Sequence, residues 1–135
     1  MRLQAKPLVA GNASGALLRL RAPLSFWGGV DARTGQIVDA QSDGFGRNIA
    51  GHVLVLAALR GSSSSSSVLL ELIHNGHAPA ALIVAEPDAI LIAGLLAARE
   101  MGWAFPPLLE LAASEQDRLA EGEMAIQEDG LISSR

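Results

Sequence analysis

The sequence predicts an α/β fold, with short β-strands and loops in the N-terminal part and a parallel βαβα unit over residues 52–100. Three observations carry that expectation. Two short apolar runs, His52-Val53-Leu54-Val55-Leu56-Ala57-Ala58-Leu59 and Ala80-Ala81-Leu82-Ile83-Val84-Ala85, have the length and composition of buried strands. Each is followed by a longer apolar segment of helical length. Up to residue 50, by contrast, apolar stretches are brief and punctuated by Gly, Pro and Asp.

The 135 residues are expected to form one domain, 1–135, and with half of them hydrophobic they can build a proper core. Aromatic residues make up only 4%, so that core must consist of Ala, Leu, Ile and Val. The net charge of −4, with scattered basic residues, argues against nucleic acid or an anionic membrane as partner. There is no cysteine, hence neither a disulfide nor thiolates for an iron–sulfur cluster. Residues 1–10 lack the apolar stretch of a signal peptide, and no run approaches the roughly 20 residues of a membrane span. A cytoplasmic protein is the expectation.

In chain order, Ala16–Leu20 reads as a strand ended by Pro23. Leu24-Ser25-Phe26-Trp27-Gly28-Gly29-Val30-Asp31 reads as a Gly-Gly turn with Phe26 and Trp27 packed in the core. A turn at 31–36 leads to a short strand at Ile37–Ala40, and Ser42–Asn48 is a second glycine-punctuated loop. After the first buried strand comes Arg60-Gly61 and six serines, then a helix over roughly 64–75 stopped by Gly76 and Pro79. After the second, Glu86-Pro87-Asp88 begins a helix over about 87–100, with Pro87 near its first turn and Gly102 at its end. Parallel pairing of the two strands follows from this order. Trp103–Phe105 is expected as a further short strand broken by Pro106-Pro107, 108–120 as a short helix, and 121–132 as a hairpin turning at Asp129-Gly130. The last residues should fray.

The serine run admits two explanations. Low-complexity serine is commonly flexible linker, but here a buried strand and an apolar helix flank it closely. Capping of the helix start, by Ser63 or Ser64, is the structural explanation. The functional one is an anion site at the end of a parallel strand, where free amides and the helix dipole converge and a serine could act as nucleophile or base. A hydroxyl is a poor base at neutral pH, so it would need the positive charge of Arg60 or the loop amides around it. No G-x-S-x-G motif and no Walker lysine is present. His74 and His77 lack further ligands, so no metal site is expected.

Pro23 to Asp31 with its Ser25-Phe26-Trp27-Gly28-Gly29-Val30 core, Thr34-Gly35, Gly44-Phe45-Gly46, Gly51 through Gly61-Ser62, and Asn75-Gly76-His77-Ala78-Pro79-Ala80-Ala81 together resemble the small subunit of the aconitase X family. The likeness covers roughly residues 8–105. It implies a swivelling β/β/α domain that closes over a larger cysteine-containing subunit, which carries the iron–sulfur cluster. It implies a hydro-lyase acting on a small hydroxy acid, by elimination, with iron as Lewis acid for the leaving hydroxyl and Ser62 as acceptor of the α-proton. Arg60, Gly61, Ser63, Ser25, Gly28 and Gly29 are the expected substrate contacts. Ser65 and Ser67 stand where relatives often have a glycine and a bulky residue, a departure that bears on loop rigidity.

The bacterial branch dehydrates cis-3-hydroxy-L-proline to Δ1-pyrroline-2-carboxylate, and Trp27, where the archaeal branch tends to be aliphatic, favours it. The archaeal alternative is a phosphomevalonate dehydratase. An alternative of another class is a non-catalytic binding or regulatory module that kept the swivel fold.

Overall fold

The computed structural model describes residues 1–135. Its strands are β1 (Arg2–Gln4), β2 (Lys6–Val9), β3 (Ala13–Leu20), β4 (Val53–Leu56), β5 (Ala81–Val84), β6 (Leu108–Glu110), β7 (Glu123–Ile126) and β8 (Leu131–Ser134). Its helical segments are α1 (Phe26–Gly29), α2 (Ser65–His74), α3 (Ala89–Glu100) and α4 (Ala113–Gln116). The strands run in the order β1-β8-β7-β3-β4-β5-β6-β2. Only Ala5 separates β1 from β2, so the two ends of that order meet and the sheet closes on itself.

The long strand β3 belongs to both halves of the sheet. Its first half, Ala13–Ala16, pairs antiparallel with β7, and its second half, Leu17–Leu20, pairs parallel with β4. From there β4, β5 and β6 continue in parallel. Every residue of β4 and β5 is buried, because both faces of these strands are covered. One face packs Val53, Val55, Ala81 and Ile83 against Met124, Ile126 and Ile132 of the antiparallel half. The other packs Leu54, Leu56, Leu82 and Val84 against Leu69 and Leu72 of α2 and Leu91 and Leu95 of α3. The layers are therefore sheet, sheet and helix, as expected of a β/β/α domain.

The βαβα unit is found where the apolar runs place it. Both helices end in the same way. Gly76 and Gly102 take positive φ (78° and 74°), and the amides beyond them reach back to Leu72 and Ala98 carbonyls (2.9 and 3.0 Å). This is the Schellman closure that glycine makes possible.

Several expectations need correction. Pro87 lies before α3, whose N-cap is Asp88. Trp103–Phe105 forms no strand; His74 instead lies beside Trp103, ring centres 5.2 Å apart. The strand comes after the prolines, as β6, and the helix expected over 108–120 shrinks to the single turn of α4. Three residues of β6 carry no periodicity of their own; pairing with β5 decides their state. Ile37–Ala40 supplies only the single bridge of Ile37 to Val30, beside that of Gln36 to Asn48. The chain end does not fray, since the Ser134 amide donates to the Met1 carbonyl (3.1 Å) and β8 pairs with both β1 and β7.

Candidate functional site

The site starts from the way residues 24–49 fold back over the helix-side layer. Leu24, Phe26, Val30, Ile37 and Ile49 are all buried in the cluster that holds α2 and α3. Leu24 forms a parallel bridge with Leu59, its amide donating to Ala58 (3.4 Å) and its carbonyl accepting from Arg60 (2.9 Å). That bridge lays the Ser25–Gly29 segment alongside Arg60-Gly61-Ser62, thirty-odd residues later in the chain.

Phe26–Gly29 is a tight turn rather than a helix. Trp27 has φ −74° and ψ 120°, and Gly28 has φ 79° and ψ −16°, the values of a type II turn that calls for glycine at its third position. Phe26 points into the core while Trp27 is 60% exposed, so only one of the two aromatics packs inside. Gly29 is buried, with its backbone close to Leu24 and Asp39. Gly61 has an ordinary φ, and a Cβ there would meet nothing within 4 Å. No backbone strain requires glycine at 61; the space in front of it is open.

Together these segments enclose a cavity of about 500 Å³ lined by Ser25, Trp27, Gly28, Gly29, Asp39, Arg60, Gly61 and Ser62. Ser62, Arg60, Gly61, Ser25, Gly28 and Gly29 are thus brought together. Ser63 is not: it is exposed and lies outside the cavity wall. Asp39 is the residue that reading the sequence misses. It stands 23 positions from Ser62 in a stretch expected to be a strand, and the Val30–Ile37 bridge with the Val38-to-Gly29 hydrogen bond brings it in.

The six serines have different surroundings. Ser62 Oγ accepts the Ser64 amide (3.3 Å) and its carbonyl accepts the Ser65 amide (3.1 Å). The Ser62 hydroxyl thus binds an amide just ahead of α2; Ser64 is the N-cap by position but makes no side-chain bond, so neither Ser63 nor Ser64 caps the helix start with its hydroxyl. Ser65 is buried, and Ser66 packs against Gly94 of α3, where an added Cβ would lie 3.1 Å from the Ser66 Cβ. Ser65 and Ser67 fall inside α2 and not in the loop. The amides of Gly61, Ser62, Ser63, Ser66 and Ser67 find no acceptor within the chain.

Nothing in this chain fits an iron–sulfur cluster. It has no cysteine, and no three His, Asp or Glu side chains gather where a metal could be held. No helix is long and apolar enough to cross a membrane.

A family model described as the aconitase X swivel domain matches residues 2–133, further in both directions than the motifs reach. The chain is 44% identical over 131 residues to a cis-3-hydroxy-L-proline dehydratase of Pseudomonas aeruginosa, covering 92% of this chain and 23% of that protein. It is also 44% identical over 98 residues to a phosphomevalonate dehydratase small subunit of Thermococcus onnurineus, covering 73% of this chain and 75% of that one. It spans less than a quarter of the first relative's length and three quarters of the second's. Its fold superposes on a crystal structure of Thermococcus kodakaraensis aconitase X in the holo-form with a TM-score of 0.85, at 33% identity and covering 98% of this chain and 97% of that one. A solution structure of a UPF0107 protein gives the same TM-score at 28% identity, covering 100% of this chain and 99% of that one. With its motifs, its three layers and this match across nearly all its length, the chain belongs to the aconitase X swivel-domain family.

Proposed function

We propose that this chain is the small, swivel-domain part of an aconitase X-type dehydratase, and that Ser62 takes the proton from the carbon next to the substrate carboxylate. The observation that carries this reading is the placement of Ser62. Ser62 lines the same open cavity as Arg60, and its hydroxyl receives an N–H hydrogen bond from the Ser64 amide. A negative charge on that oxygen would be held by this amide, by Arg60 and by the unpaired amides at the start of α2. The same amides and Arg60 suit a substrate carboxylate or phosphate. Gly61, Gly28 and Gly29 leave the approach free of side chains, and Ser25 offers a further hydroxyl. Once the proton has moved to Ser62, the electron pair it leaves behind forms the new double bond as the neighbouring hydroxyl departs. That departure needs an electrophile that this chain does not supply.

The reading therefore includes a large partner that carries the iron–sulfur cluster of such dehydratases. Three observations support a closing partner. The cavity is open to solvent, Trp27 is 60% exposed on its wall, and Phe45 (59%) and Val38 (46%) are exposed on the neighbouring loops. Large apolar side chains left in water around a polar cleft are characteristic of an interaction surface.

We assign cis-3-hydroxy-L-proline as the substrate. The likeness to the Pseudomonas enzyme extends over 92% of this chain, against 73% for the archaeal small subunit. A phosphorylated mevalonate is the second reading, favoured by the equal 44% identity to the archaeal subunit. Co-expression with the large partner and assay of both substrates decides. The reading predicts turnover of hydroxyproline by the pair and none by this chain alone. A pair that assembles but dehydrates neither substrate contradicts it.

A further inference from the structure

Asp39 carries a charge in the site that the proton-transfer reading does not use. It lines the same cavity as Arg60 and Ser62. Neither Asp39 nor Arg60 takes part in any of the chain's four ion pairs. Each is fixed through its backbone: the Arg60 amide donates to Leu24 (2.9 Å), and the Asp39 carbonyl accepts from Ser42 (3.0 Å). The residue before Asp39 is tied to the glycine turn, the Val38 amide donating to Gly29 (2.9 Å). A Cβ on Gly29 would stand 3.8 Å from that of Asp39, so the carboxylate stem packs on a bare backbone. Its Oδ1 accepts the Gln41 amide (2.9 Å), while Oδ2 has no partner.

Arg60, exposed, and Asp39, half-buried, thus place a cation and an unneutralised anion on one cavity of about 500 Å³, which a ligand with two poles would suit. A ligand negative at every point would be repelled at Asp39; one with an anionic end and a hydrogen-bond donor would satisfy both. Resting on the dehydratase reading above, we propose that Asp39 is a specificity-determining residue. Its carboxylate accepts a hydrogen-bond donor of the substrate, an ammonium or a hydroxyl, while Arg60 takes the carboxylate or phosphate.

Asp39→Asn keeps an oxygen for the Gln41 amide and nearly the same volume, so folding is not at stake. In the complete two-subunit enzyme, kcat/KM on the substrate turned over should fall roughly tenfold or more, mostly through KM, with Tm unchanged. Inhibition by L-proline and by tetrahydrofuran-2-carboxylate, which lacks the ring N–H, identifies the donor. A weaker Ki for L-proline alone marks the ammonium, and a raised KM with both inhibitor constants unmoved marks the hydroxyl. An unchanged KM overturns the assignment. If the wild-type pair turns over neither substrate, the dehydratase reading fails by itself. Affinity for cis-3-hydroxy-L-proline, which carries both donors, measured by calorimetry on the same pair and on Asp39→Asn, then still decides Asp39: a tenfold weakening sustains a donor-binding role and an equal affinity ends it.

Discussion

The two strand-to-helix connections of the βαβα unit solve the same problem in opposite ways. Between β5 and α3, Asp88 closes the helix start: one carboxylate oxygen accepts the amides of both Ile90 and Leu91 at 3.0 Å. Between β4 and α2, the N-cap Ser64 makes no side-chain bond, and the amides of Ser66 and Ser67 are left without an acceptor. Each connection borders a cavity of comparable size, about 520 Å³ at the strand ends by Asp88 and about 500 Å³ by Ser62. The first is walled mainly by Leu, Val, Ala and Pro; the second has one hydrophobic residue, Trp27, among glycines, serines, Arg60 and Asp39. An N-cap satisfies orphan amides and typically stabilises by about 1 kcal/mol. Leaving those amides open gives up that stabilisation and keeps positive partial charge available to a ligand. One connection serves the fold. The other serves the site.

The contrast can be broken from either side. The largest effect short of removing the base is expected for Arg60→Ala. Hydrogen bonds to charged groups contribute about 1.5–3 kcal/mol, so kcat/KM of the assembled enzyme should drop about 10- to 100-fold. Because the guanidinium holds no ion pair within the chain, the melting temperature should stay put. A drop in stability with activity retained would make Arg60 a structural residue.

The caps give a smaller and purely thermodynamic contrast. Asp88→Ala should cost about 0.5–2 kcal/mol in denaturant titration while turnover is unaffected, whereas Ser64→Ala should stay within about 0.5 kcal/mol of wild type. Equal losses at the two positions would mean that α2 depends on its N-cap as α3 does, and the contrast would collapse.

What the sequence made legible follows the range of the forces involved. β4, α2, β5 and α3 could be read because apolar runs and glycine stops are local signals. β1 and β2 passed unnoticed: three and four residues long, they exist through pairing with β8 and β6, about a hundred positions away or more. β6 lacks a strand signal for the same reason. In the site, the order of motifs gathered Ser25, the glycine turn and Arg60-Gly61-Ser62. Six identical serines carry no mark of their differences, however. Position relative to α3 and to the Leu24–Leu59 bridge made one a cavity wall, one a packing residue against Gly94 and one a bystander. Asp39 had no neighbouring motif to announce it, and a loop fold supplied its place.

The central claim concerns a single hydroxyl, and removing it is the most direct measurement. Ser62→Ala, paired with the large subunit, loses one modest bond to the Ser64 amide and should assemble and melt nearly as wild type. If Ser62 accepts the α-proton, its turnover should fall by about 10²–10⁴-fold with KM little changed. Turnover within about threefold of wild type would contradict the account, since an effect that small is far below what losing a general base costs.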